Sequence, residues 1–240
     1  MISFLIPVFN GQEYLSNAIA SCVAQSLKTI EIIVVNDCST DGTKRLIDWY
    51  ASKDERIKAI HLDKNGGSGH ARNVGVSAAK GNIICMLDAD DESTRDRAKI
   101  TNDLFGDSDN SLVYGSCVQL DCMGQNIGTL LASKFDIEDS LKKKLNDIVH
   151  STMALPKSFL EKNPYDEDEF VRLGLEDWPL QLQAFKAGLE FKHTEKVLCG
   201  YRITRGSQSF GRDNKKVTEL KEKFLSENQI IEKVIEEVAA

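Results

Sequence analysis

Up to Asp91 the chain sets short apolar runs against longer segments whose apolar residues recur at helical spacing. Residues 2–8 are an apolar run that closes at Pro7, which predicts a first buried strand. Over 11–24 the positions Leu15, Ala18, Ile19, Cys22 and Val23 fall on one helical face. Residues 30–35 form a second, β-branched run, which opens into the capping-rich cluster Asn36-Asp37-Cys38-Ser39-Thr40-Asp41-Gly42-Thr43. A helix over 43–52 and a strand over 57–62 follow. The glycine-rich loop Gly66-Gly67-Ser68-Gly69 precedes a helix over 70–80. The fourth strand, Asn82-Ile83-Ile84-Cys85-Met86, runs into Leu87-Asp88-Ala89-Asp90-Asp91. Strands and helices that alternate over short links predict a parallel sheet with right-handed crossovers.

Past Asp91 the alternation breaks down. Residues 94–104 predict a helix, 111–120 a strand, and 124–131 its partner across a turn at Cys122-Met123-Gly124. Residues 136–149 and 176–187 predict helices, and 191–202 one or two more strands. Nothing marks a second core or a linker. The expected fold is α/β with one domain over 1–212, divided into a nucleotide-binding half (1–91) and an acceptor-side half (92–212). A carboxy-terminal helix follows over 213–240. There Val217, Leu220, Phe224, Ile231, Val234 and Val238 recur near heptad spacing, broken by Glu227. Such a stripe suits packing on the helix's own domain first, and a homodimer second.

Composition narrows the partners. With a net charge of −7 over 240 residues, broad nucleic-acid binding by a basic face is disfavoured. No apolar stretch approaches the roughly 20 residues that span a bilayer. The opening residues are too short and too poor in basic residues for a signal peptide. The expected location is the cytoplasm, with peripheral contact at the inner face of a membrane compatible with the pattern. Acidic residues crowd the end of the last helix and disfavour docking of that helix on an anionic surface. The six cysteines, Cys22, Cys38, Cys85, Cys117, Cys122 and Cys199, include no Cys-x-x-Cys pair and read as reduced, mostly buried side chains.

Candidate chemistry gathers at the strand ends. Asp88 and Asp90, one residue apart, repel each other unless something positive lies between them. In an open α/β sheet the carboxyl ends of the strands are where ligands bind. The first strand offers Pro7-Val8-Phe9-Asn10 there, the second Asn36-Asp37, the third Asn65-Gly66-Gly67, and the fourth Asp88-Ala89-Asp90. A nucleotide at that edge finds Phe9 for its base and the Asp37 carboxylate for a uracil-type N–H. It finds loop amides and Arg72 for phosphate. Asp88 and Asp90 can hold a hard divalent cation. The glycine loop follows the third strand and lacks the Gly-x-Gly-x-x-Gly spacing, and no Gly-Lys-Ser/Thr phosphate loop occurs.

The same residues resemble the motifs of family 2 inverting glycosyltransferases of the GT-A fold. The resemblance runs through Ser3-Phe4-Leu5-Ile6-Pro7-Val8-Phe9-Asn10, the helix around Asn17 to Gln25, and Val34-Val35-Asn36-Asp37-Cys38-Ser39-Thr40-Asp41-Gly42. It continues through Asn65-Gly66-Gly67, Ala71-Arg72-Asn73, Asp88-Ala89-Asp90, Leu175-Glu176-Asp177-Trp178, and Tyr201-Arg202 with Ser207 and Ser209. Asn36 and Cys38 stand where Asp and Gly are commoner. Thr204 stands where many relatives place a histidine.

The resemblance implies transfer of a sugar from a nucleotide-diphosphate donor, UDP-linked first, to a glycan or lipid-linked hydroxyl. It implies a nucleotide site of Pro7, Phe9, Asn10, Glu13, Asp37, Asn65, Gly66, Arg72, Asp88 and Ala89. Mn²⁺ or Mg²⁺ is expected on Asp90, and on Asp88 indirectly, with Arg202 or Arg205 near the diphosphate. Asp177 is expected as the catalytic base and Glu176 as its support. The loops 122–134 and 150–175 are expected to set the acceptor. The alternatives are a sugar-phosphate nucleotidyltransferase and a nucleotide-sugar-binding protein without turnover.

Overall fold

Two runs of seven buried residues, β1 (Ile2–Val8) and β2 (Ile30–Asn36), lie parallel at the heart of the sheet, with Ile2 opposite Ile30 and Val8 opposite Asn36. The structure, a computed structural model, describes residues 1–143, 148–166, 177–204 and 214–227. Strands covered on both faces read as continuous apolar runs, and these two are broken by only a few polar residues. One such break is a buried polar pair. The Ser3 hydroxyl donates to Glu31 Oε1 at 2.6 Å, and the same oxygen accepts the N–H groups of Lys80 and Gly81.

β3 (Ile57–His61) lies parallel to β2, and β4 (Ile83–Met86) lies parallel to β1 on its other side. The order β3-β2-β1-β4 reverses direction between β1 and β4 and leaves a crevice at their carboxyl ends. The helices α1 (Leu15–Val23) and α2 (Thr43–Ala51) pack on one face, against Phe4, Ile6, Ile32 and Val34. α3 (Gly67–Ala78) packs on the other, against Leu5, Ile33 and Val35. At Gly75 an added Cβ would stand 2.1 Å from Leu5 Cδ1, so α3 approaches the sheet at a distance only glycine allows.

Beyond β4 the sheet turns mixed. β5 (Glu92–Ser93) and α4 (Arg97–Phe105) lead to β6 (Ser111–Leu120) and its antiparallel partner β7 (Asn126–Leu130). After α5 (Ile137–Lys143), a 3₁₀ turn (His150–Thr152) feeds β8 (Ala154–Pro156), and α6 (Lys157–Lys162) follows. α7 (Asp177–Lys186) and β9 (Glu190–Arg202) close the sheet in the order β3-β2-β1-β4-β8-β6-β9-β5. β9 is one strand, parallel to β6, with a register shift near Ser116.

Several expected boundaries move. The first helix begins at Leu15, because the N–H groups of Tyr14 and Leu15 both turn back to the Gly11 carbonyl. The helix expected over 136–149 is α5 alone within the described residues. Val149 is already extended, since the chain there must enter the sheet beside β4. β5 and β8 went unread, being too short to show a period. α8 (Asn214–Glu227) packs Leu220, Phe224 and Leu225 on Trp178 and Leu182 of α7. That part of the apolar stripe is covered by the chain's own fold, while Ile231, Val234 and Val238 lie outside the described residues. Among the described residues, no helix is long and apolar enough to cross a membrane.

Candidate active site

The loop after β1 is tied across to the loop after β2. Asn10 adopts φ 50°, which lets its Oδ1 accept the Thr40 N–H at 2.8 Å while its own N–H reaches Ser39 Oγ at 2.9 Å. The Gly11 N–H donates to Thr43 Oγ1 and the Gly42 N–H to Gln12 Oε1. Pro7 is buried within β1, and Phe9, 52% exposed, stands open at the crevice mouth. Glu13 is exposed and hydrogen-bonds the Tyr14 hydroxyl, which raises the phenol's pKa.

Asp37, expected as an acceptor for a base N–H, is buried and has another task. Its Oδ1 accepts the Gly66 N–H and its Oδ2 the Gly67 N–H, both at 2.8 Å, and its carbonyl accepts from Asn65 Nδ2. These two loop amides therefore face Asp37, not a phosphate as expected, because a buried carboxylate at the start of α3 draws the first N–H groups to itself. Each Asp37 oxygen keeps a second lone pair. Arg72 is likewise engaged within the protein. It is buried, and Nη2 donates to Asp88 Oδ1 at 2.7 Å, so its charge is matched within the protein.

The acid pair divides its duties. The Asp88 N–H donates to Ser151 Oγ at 3.0 Å, and His150 Nδ1 lies 3.8 Å from Asp88 Oδ1. Burial pushes the Asp88 carboxyl up, but Arg72 and then His150 outweigh it and hold the group well below the usual carboxylate range. Asp90 makes no ion pair among the described residues. Burial, then the Asp88 charge, pushes it up to about 6. Asp91 is fully buried and is driven well above the usual range by burial and by both neighbours, while its Oδ1 accepts the Arg202 N–H at 2.8 Å. Ala89 lies between these groups, against the Gly11 turn.

The donor set fits a hard cation. Asp88 is answered by Arg72 and Asp91 by a backbone N–H, which leaves Asp90 as the oxygen ligand whose crowded charge a divalent ion would relieve. Among the described residues no group of three or more His, Cys, Asp or Glu side chains converges on a metal position.

Arg202, expected near the diphosphate, is turned toward the acid loop. Its Nε donates to the Asp90 carbonyl and Nη1 to the Asp121 carbonyl, both at 2.9 Å, and Nη2 pairs with Glu92. Its guanidinium carbon lies 4.9 Å from the Tyr14 ring centroid. With three of its five N–H donors on these acceptors and only 2% of the residue exposed, the guanidinium is a clamp on the acid loop. Arg205, Ser207, Ser209 and Glu176 lie outside the described residues.

Asp177 opens α7 and accepts the Trp178 N–H at 2.9 Å. One turn on, on the same helix face, Gln181 Nε2 reaches the Ile148 carbonyl and Met153 Sδ, either side of the turn that holds Asp88. α7 thus packs against the element that carries His150 and Ser151. Sequence reasoning missed Ser151, Tyr165 and Glu92. No spacing signals them, since their partners are distant in the chain.

The glycosyl transferase family 2 model matches residues 3–163. The chain belongs to this family. A putative teichuronic acid biosynthesis glycosyltransferase, TuaG of Bacillus subtilis, is 36% identical over 97 residues, 40% of this chain and 38% of that protein. The succinoglycan biosynthesis protein ExoO of Rhizobium meliloti is 41% identical over 98 residues, covering 41% and 28% respectively. The chain thus spans well under half the length of these two relatives. Among solved structures, Staphylococcus aureus TarS 1–349 in complex with UDP-GlcNAc aligns with TM-score 0.73 at 18% identity, over 93% of this chain and 66% of that one. A Pyrobaculum calidifontis mannosyltransferase in complex with GDP-Man and Mn²⁺ aligns with TM-score 0.66 at 18% identity, over 86% and 58%. The family 2 chain has the GT-A fold of these structures.

Proposed function

We propose that this chain is an inverting glycosyltransferase that moves a hexosyl or N-acetylhexosaminyl unit from a UDP-linked donor to a hydroxyl of a glycan or lipid-linked acceptor. The observation that carries the reading is the acid pair at the β1/β4 switch point, with Phe9 open beside it and Asp90 crowded by like charge. Phe9 offers a face for the base, and the remaining lone pairs of Asp37 offer acceptors for its N–H. Asp88, held by Arg72, lines the nucleotide end, and Asp90 holds the cation. When bound, a divalent cation supplies Lewis acidity against the charge that develops on the leaving diphosphate. Asp177 takes the proton from the acceptor hydroxyl as it attacks from the opposite face, a contribution of typically 10²–10⁴-fold.

A polysaccharide acceptor is supported by relatives named for teichuronic acid and succinoglycan biosynthesis, and the same reading puts it at the cytoplasmic face of a membrane. Two features oppose the rivals. The loop after β1, Phe9-Asn10-Gly11-Gln12-Glu13, is neither glycine-rich nor basic, as a nucleotidyltransferase would need. An acid placed at Asp177 argues against a nucleotide-sugar-binding protein without turnover.

The test is incubation with a panel of UDP- and GDP-sugars and cell-envelope acceptor fractions, with and without Mn²⁺. Cation-dependent release of nucleoside diphosphate with sugar transfer is expected. Pyrophosphate release from UTP and a sugar 1-phosphate assigns nucleotidyl transfer instead, and binding with no release across the panel removes the enzyme reading.

A further inference from the structure

One buried side chain touches both groups that flank Asp88. Tyr165 is 3% exposed. Its N–H donates to Asn73 Oδ1 at 2.9 Å, and its carbonyl accepts from Asn73 Nδ2 at 3.0 Å. A single amide thus satisfies both backbone groups and fixes where the ring enters. The Tyr165 hydroxyl meets His150 Nε2 at 2.9 Å, and the Arg72 guanidinium carbon stands 5.4 Å from the ring centroid. Arg72 and His150 are the same residues that stand 2.7 and 3.8 Å from Asp88 Oδ1. Asn73 and Tyr165 are 92 residues apart in sequence, so the contact joins the donor half to the chain just beyond α6.

Resting on the glycosyltransferase reading, we propose that Tyr165 is a positioning residue, which fixes Asp88 through Arg72 and His150 and so couples the acceptor-side chain to the nucleotide end of the cleft. It touches no reacting atom. The ring covers the flat face of a guanidinium whose side chain otherwise has many rotamers, and so aims Nη2 at the carboxylate. The hydroxyl fixes the imidazole plane, and with it the direction of Nδ1. Without the phenol, both groups lose the contact that orients them, and Asp88 becomes a less defined wall for the nucleotide.

The test is calorimetric titration of UDP at saturating Mn²⁺, alongside urea denaturation, for the wild type, Tyr165→Phe, Tyr165→Leu and Gly75→Ala. Tyr165→Phe keeps the ring and is expected to weaken UDP about fivefold, the scale of one buried hydrogen bond. Tyr165→Leu loses the ring as well and is expected to weaken it about thirtyfold. Gly75→Ala, a packing change where α3 meets Leu5 of β1, is expected to lower the denaturation midpoint and leave UDP affinity at the wild-type value. UDP affinity unchanged in both Tyr165 variants, whatever their stability, overturns the positioning role alone. A wild type that binds neither UDP nor GDP overturns the glycosyltransferase reading, and this inference with it.

Discussion

The two halves of the chain, before and after Asp91, build one cleft by different means. In the first, short polar side chains at neighbouring strand ends tie loop to loop: Asn10 to Thr40, Gln12 to Gly42, Asp37 to Gly66 and Gly67. The partners are about 30 residues apart, the spacing of one strand–helix repeat. In the second, single side chains reach across the fold. Arg202 clamps the carbonyls of Asp90 and Asp121, 112 and 81 residues away. The first arrangement makes a rigid floor whose parts are set by their own strand. The second makes a wall whose parts are set by where distant strands happen to lie.

Five changes probe that contrast. The largest effect is expected from Asp90→Ala, which should abolish cation-dependent nucleotide binding in calorimetry, because among the described residues of the acid loop its crowded carboxylate is the one with no ion-pair or hydrogen-bond partner on another residue. Binding that survives unchanged would make the acid pair a structural turn. Next, Asp177→Asn should cost transfer at least about 10²-fold while donor affinity stays near normal, since the amide oxygen can still accept the Trp178 N–H. Full turnover in that variant moves the base elsewhere, with Glu176 the next candidate.

Asp37→Ala should then weaken nucleotide affinity about tenfold or more, because two loop N–H groups lose their acceptor. An effect confined to stability would show that the loop and the nucleotide are independent. Gly75→Ala should destabilise the fold by about 1–3 kcal/mol in urea melts, as the new Cβ displaces Leu5.

The smallest effect is on pH. Burial raises the Glu31 carboxyl, but the Ser3 hydroxyl and the N–H groups of Lys80 and Gly81 outweigh it and hold it below its usual value. The ionised form therefore contributes stability in full above the unfolded-state pKa, about 4.3. That contribution is lost as the pH falls through the lower folded-state value. Glu31→Gln should flatten this acid limb of the stability curve, and an unaltered limb would assign it to other carboxylates.

The same contrast explains what the sequence revealed. The four strands through Met86, their helices and the converging strand ends were legible because each run is long enough to show its period and each functional residue sits at the end of its own run. Arg72, Asp37 and Arg202 were found as residues but their partners within the protein were not, since a charged side chain near a cleft looks the same in sequence whether it faces a ligand or another side chain. His150, Ser151 and Tyr165 gain meaning only from β8 pairing with β4, and a three-residue strand leaves no periodic trace.

The chain holds two tryptophans, Trp49 and Trp178. Trp49 is 55% exposed on α2, while Trp178 is fully buried beneath Lys221 and Phe224 of α8. An aqueous quencher such as iodide should silence the first and spare the second. The light that survives comes from the residue next to Asp177, so the molecule carries its own optical gauge of how α7 is seated. A shift in that emission as donor and cation are added would register movement of the proposed base without any label being attached.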